Sequence, residues 1–153
     1  MTLIYLSKGF STLVDEEDFD ELSKYKWCIN GNGYVTRNIV KEGKKTMVLM
    51  HRHLLTPEDG QDVDHINRCK TDNRRSNLRV CTRSQNRCNT GASPKSRTGL
   101  KGVSYDSKNK KFAAYICLNR KRKNLGRFST AQEAHDVYAA AAKTLHGEYF
   151  SPR

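Results

Sequence analysis

The chain has no C-x-x-C pair, and its five cysteines (Cys28, Cys69, Cys81, Cys88 and Cys117) are odd in number. That spacing argues against a zinc-ribbon brace, and that count against a disulfide framework. Reduced, partly buried thiols in an intracellular protein are expected, with no structural zinc. No apolar run approaches the roughly 20 residues a membrane-spanning helix requires. Residues 1–10 lack the architecture of a signal peptide. A soluble protein retained in the cytoplasm of its host cell is the expectation, with no membrane partner. Hydrophobic residues make up only 36%, and mean hydropathy is −0.81, so any core is modest. Aromatics are sparse at 8%, which disfavours RNA binding by base stacking. Acidic residues are also in deficit: 16 Asp and Glu against 28 Lys and Arg leave a net charge of +12. A polyanionic partner follows. The excess is uneven, rising from +1 over residues 1–57 through +4 over 58–98 to +7 over 99–153.

What is present is concentrated in Asp64–Asn89, DHINRCKTDNRRSNLRVCTRSQNRCN. Phosphodiester hydrolysis needs a base for water and a cation for the charge on the leaving oxygen. A neutral imidazole suits the first task near neutral pH. Carboxylate and amide oxygens are hard ligands suited to Mg²⁺, which keeps several waters and is shared with the substrate phosphate. Val63 leads into Asp64-His65 at the end of a short strand, and the polar loop 67–76 reads as a turn. Leu78–Cys81 alternates like a half-buried strand. Thr82 followed three residues later by Gln85 is a capping-box signature, so a helix carrying Asn86 and Asn89 is expected there. Strand, loop, strand and helix make a ββα unit.

The segments VDHIN, NRRSNLR and TRSQNRCN resemble the HNH (ββα-metal) endonucleases, in the cysteine-poor branch found among phage and intron-borne homing enzymes. The resemblance implies His65 as general base, Asp64 and Asn86 as metal ligands for Mg²⁺ (or Mn²⁺), and Asn77 as the residue tying the loop between the strands. Asn86 stands where His is frequent, which makes this an HNN variant. Arg74, Arg75 and Arg87 are candidates for holding phosphates.

Upstream, Leu3–Leu6 is a short apolar run, and Asp15–Asp18 suits the first turn of a helix. Gly31–Gly33 reads as a hairpin turn between Trp27–Asn30 and Tyr34–Ile39. After a turn at Glu42-Gly43, Thr46–Leu55 reads as a strand, placing His51 and His53 on one strand face. His51-Arg52 matches a pair found ahead of the motif in the same endonuclease branch, which adds His51 to the DNA-contacting candidates.

Residues 93–98 have linker composition. Beyond them, strands are expected at Gly102–Tyr105, Lys111–Leu118 and Arg122–Phe128, with a turn at 119–121. Thr130 and Glu133 form a second capping box, opening a helix with apolar positions at Ala134, Tyr138, Ala141 and Leu145 that Gly147 stops. KGVSYD, KFAAYI and LGRFSTAQEAHDVYAAAAKTLHGEYF are similar to the plant APETALA/ethylene-response-factor DNA-binding domain. That resemblance implies a sheet entering the major groove, with Lys101 and Arg122 at basic DNA-contacting positions. The sheet face studded with Lys and Arg adds Lys111 and Arg127, with Tyr105 or Tyr115, as candidate DNA contacts.

The expected protein is α+β, with a small β-rich N-terminal lobe and ββα-metal unit in residues 1–92. A linker at 93–98 precedes a three-stranded antiparallel sheet with one helix at 99–153. It is a metal-dependent endonuclease of double-stranded DNA, a monomer or weak dimer needing no small-molecule cofactor. The alternative is a sequence-specific DNA-binding regulator built on an inactive nuclease scaffold.

Overall fold

The computed structural model describes residues 2–118 and 121–150. The fold is α+β, and its backbone divides into two compact units, Met1–Arg87 and Cys88–Arg153.

The first unit opens with strands β1 (Thr2–Tyr5) and β2 (Ser11–Val14), an antiparallel hairpin in register from Thr2↔Val14 to Tyr5↔Ser11. Helix α1 (Glu16–Ser23) carries Glu16, Glu17 and Asp18 in its first turn, where the helix dipole favours negative charge. The sheet β3 (Cys28–Ile29), β4 (Val35–Lys41) and β5 (Lys44–Leu49) is antiparallel in sequence order. Its first turn is closed by Asn30, whose Oδ1 accepts from the Asn32 and Tyr34 amides. Ile4, Leu6, Val14, Leu22, Trp27, Val35 and Met50 form one buried cluster. Trp27 joins it without loss because its Nε1 donates to the Leu22 carbonyl at 2.8 Å.

Strand character ends at Leu49, not Leu55, which corrects the strand expected over Thr46–Leu55. Met50–Leu55 is a helix, α2. Met50 is fully buried, and Leu54, four residues on, packs on the same cluster, so the i, i+4 pair wins over the strand-like alternation of the intervening residues. The shared strand face of His51 and His53 disappears with it. His51 lies against Tyr34 and His65, and His53 against Tyr25 and Trp27.

Strands β6 (Gln61–His65) and β7 (Leu78–Thr82) form a two-stranded antiparallel ribbon followed by α3 (Arg83–Asn89), giving the ββα unit. The Thr82 box is formed: Gln85 N donates to Thr82 Oγ1 at 3.2 Å, and Thr82 N donates to Gln85 Oε1 at 2.8 Å.

In the second unit, β8 (Val103–Asp106), β9 (Lys111–Leu118) and β10 (Lys121–Phe128) make an antiparallel sheet in the order β10-β9-β8. At the turn expected over 119–121, residues 119 and 120 lie outside the described residues. Helix α4 (Ala131–His146) starts from the complete Thr130–Glu133 capping box and ends at Gly147. Ala134, Tyr138 and Ala142 face Val103, Ala114 and Ile116 in its two core clusters. Gly102 (φ 76) allows the closest approach, since a Cβ there would lie 2.1 Å from the Tyr138 ring. Among the described residues, no helix is long and apolar enough to cross a membrane.

Candidate active site

The β6–β7 register decides what shares a face. Asp62 pairs with Cys81 and Asp64 with Arg79, so both carboxylates project to one side of the ribbon, and Val63 to the other. Asp64 is buried, and its Oδ2 accepts from Arg79 Nε at 3.0 Å and Nη2 at 2.7 Å. Asn86, in the first half of α3, reaches the same face: its Nδ2 donates to Asp62 Oδ2 at 3.1 Å. Burial first, and then Asp64 and Asp62, push the Tyr34 phenol above its ordinary value. The Cys81 thiol is pushed up to about 11 by burial and by the same two carboxylates, with Arg79 opposing. The face is therefore electronegative even with Arg79 in place, and its hard oxygen donors fit a divalent cation that retains water. Among the described residues no group of three or more His, Cys, Asp or Glu side chains is disposed to hold a metal.

His65 ends β6 and is buried. Its Nε2 lies 3.2 Å from Asn73 Oδ1, and its ring stands edge-on to His51 with centroids 5.0 Å apart. Burial lowers its pKa, with the Asn73 contact opposing. His51 is lowered to about 3, first by burial and then by His65. Both imidazoles are thus neutral near pH 7, the state a proton acceptor needs. His51 stands behind His65 as a buried neighbour, with no hydrogen-bond partner at Nδ1 among the described residues.

The loop between the strands is fixed by polar contacts. Asn77 Oδ1 accepts from Asn67 N at 3.0 Å, its Nδ2 donates to Asp72 O at 2.8 Å, and its carbonyl accepts from Ile66 N at 2.8 Å. Arg74 lies on Asp72, and Arg75 on Asp18 at 2.7 Å with its amide on Asp15, so both serve the loop's own architecture. Arg87 is exposed on α3.

In the second unit, Lys101 Nζ donates to the Cys88 and Thr90 carbonyls. The β8–β9 register puts Tyr105 opposite Phe112, on the same side as Val103 and Ala114, which α4 covers. Lys111, Tyr115, Arg122 and Arg127 alternate to the other side. There Arg122 stacks on Tyr115 at 3.6 Å and Arg127 pairs with Asp106 at 2.8 Å. Tyr105 thus lies on the opposite face of the sheet from Lys111, Tyr115, Arg122 and Arg127.

Residues 49–88, from the end of β5 through the ββα unit, match the HNH endonuclease family. Over 99% of its length the chain is also 31% identical to an uncharacterized HNH endonuclease of Acanthamoeba polyphaga mimivirus, covering 79% of that protein. This chain belongs to the HNH endonuclease family. No solved structure matches it. HNH nucleases are in general dependent on a divalent metal, and DNA is the substrate the family implies.

Several residues of this HNH nuclease escaped the sequence reading. Asp62 left a trace, two positions before Asp64 on the same strand face. Arg79 becomes visible only once β6 and β7 are paired. Asn73, Thr12 and Tyr34 left none, because their partners are distant in the chain.

Proposed function

We propose that this HNH nuclease hydrolyses double-stranded DNA with Mg²⁺ (or Mn²⁺) held by Asp64 and Asn86, in the manner of free-standing, phage-type homing endonucleases. The observation that carries this reading is a buried, neutral His65 at the end of the strand whose acidic face meets Asn86. His65 accepts a proton from water, whose oxygen attacks phosphorus as the bond to the 3′ oxygen breaks; the 3′ oxygen takes a proton from solvent water, leaving 5′-phosphate and 3′-hydroxyl ends. When bound, the cation would stabilise charge on the phosphate and the departing oxygen. Asn77 holds the loop and thereby His65, without touching substrate. Asp62 orients Asn86 toward the ligand face, and Arg79 holds the Asp64 carboxylate in place.

Residues 99–153 are proposed to be an APETALA/ethylene-response-factor-like domain that supplies affinity through the open face of its sheet, with Lys111, Tyr115, Arg122 and Arg127 toward the backbone and bases. Their +7 net charge and the register that gathers these side chains support this.

The test is cleavage of supercoiled plasmid by the full chain across Mg²⁺ and Mn²⁺ titrations, with end mapping. Asp64→Ala and Asn86→Ala are expected to raise the metal concentration at half-maximal rate. An unchanged midpoint in both removes them as ligands, and cleavage undiminished by a chelator overturns metal dependence.

A further inference from the structure

We infer that Thr12 and Asn73 are positioning residues that fix the tautomer of His65, placing its ring proton on Nε2 and its basic lone pair on Nδ1. The inference rests on the proposed role of His65 as base, and it identifies which nitrogen acts.

The argument starts from a carbonyl, which can only accept. Thr71 O lies 2.8 Å from Thr12 Oγ1, so the hydroxyl donates its single proton there. The Thr12 oxygen is then an acceptor for anything else, and Asn73 Nδ2 sits 2.9 Å from it. Lys70 O, a second pure acceptor, lies 3.4 Å from the same Nδ2. Rotating the amide by half a turn would set its oxygen against two acceptors, so Nδ2 faces Thr12 and Lys70, and Oδ1 faces His65. An oxygen facing a ring nitrogen at 3.2 Å requires that nitrogen to carry the proton. In a neutral imidazole the other nitrogen is then the base.

This line is shielded from bulk solvent. Relative exposures are 1% for Thr12, 0% for Asn73 and 4% for His65. The backbone holds the line in place: Leu13 N donates to Thr71 O at 2.9 Å and Asn73 N to Leu13 O at 2.8 Å, so β2 is bridged to the loop at Leu13↔Asp72. The N-terminal hairpin thus has a use beyond its own core, since it brings a hydroxyl to the loop about 60 residues away in sequence.

The experiment is two-bond ¹H–¹⁵N correlation of the histidine rings in the full chain near neutral pH, paired with single-turnover cleavage. Native His65 is expected as the Nε2–H tautomer. Thr12→Val removes the acceptor that orients Asn73, so the Nδ1–H tautomer should appear and kcat should fall by the same factor as the Nε2–H fraction, with KM unchanged. Thr12→Ser keeps the hydroxyl and should restore both. Asn73→Leu removes the acceptor outright and should lower kcat by about 10²-fold, toward the loss of a general base. A native Nδ1–H signal overturns the inference whether or not any variant folds. So does a Thr12→Val protein whose tautomer is unchanged, with kcat lowered or not. An Nε2–H ring in a protein that cuts nothing in any metal would instead defeat the nuclease mechanism proposed above, and leave the tautomer assignment standing.

Discussion

Around His65 the interior of the first unit is made of Thr12, His51, Asp64, Asp72, Asn73 and Asn77. The interior of the second is made of Val103, Ala114, Ile116, Ala134, Tyr138 and Ala142. Alkyl and aromatic burial is non-directional and tolerates small shifts as long as volume is kept. Buried amides, hydroxyls and carboxylates are directional, and each lost partner leaves a group with no water to turn to. The first unit accepts that cost where its chemistry needs fixed orientations, and keeps its own apolar cluster around Trp27 and Met50 apart from the ribbon. The second unit packs a helix on a sheet.

The largest expected effect separates chemistry from binding. His65→Ala should slow cleavage by about 10²–10⁴-fold while leaving DNA affinity intact, because a base acts only in the chemical step. Single-turnover rates with a parallel fluorescence-anisotropy titration check this, and a variant that cuts at the native rate removes His65 from the site.

Acid should distinguish the two interiors next. The folded-state pKa of His51, about 3, lies below its ordinary 6.5. Between those values the unfolded chain binds the extra proton, so stability falls as pH falls, at up to about 1.4 kcal/mol per pH unit for one such histidine. His65 adds to the trend in the same direction. Among the described histidines of the second unit, the half-buried His146 is shifted that way. Amide exchange between about pH 6.5 and 4 should therefore show protection lost first in residues 1–87. Equal loss in both units would contradict the contrast.

In the second unit the sensitive point is steric. Gly102→Ala forces a methyl into the Tyr138 ring at a backbone φ of 76, and should cost about 1–3 kcal/mol, read as a lower Tm. In the first unit the counterpart is Asn77→Ala, which strands Asn67 N and Asp72 O and should cost a similar or smaller amount, about 1–3 kcal/mol. Unlike Gly102→Ala, it should also lower the cleavage rate. Full stability with full activity would return Asn77 to an ordinary turn.

The smallest effect tests the open sheet face. Arg122→Ala should reduce the slope of log affinity against log salt by about 0.9, the amount expected for one phosphate contact. An unchanged slope would leave the Arg122–Tyr115 stack as a purely structural feature.

Local signals carried much of this organisation. Both capping boxes form where the Thr-x-x-Gln and Thr-x-x-Glu spacings put them, because a cap is completed within four residues. The acidic turn of α1 and the Asn30–Gly33 hairpin turn are equally local. The Met50–Leu55 segment was not legible, since M-H-R-H-L-L satisfies a strand alternation and a helical i, i+4 pair alike. Only the Trp27 cluster selects between them.

The sequence by itself determined the ββα unit and the nuclease family, because strand, loop and cap are written within about thirty consecutive residues. Tertiary structure alone decided that Arg79 holds Asp64, that Asp62 meets Asn86, and that Thr12 reaches Asn73. Those outcomes depend on strand register and on a bridge between β2 and the loop. Hydrogen-bond direction belongs to pairs of atoms brought together from far apart in the chain, and no local pattern encodes it.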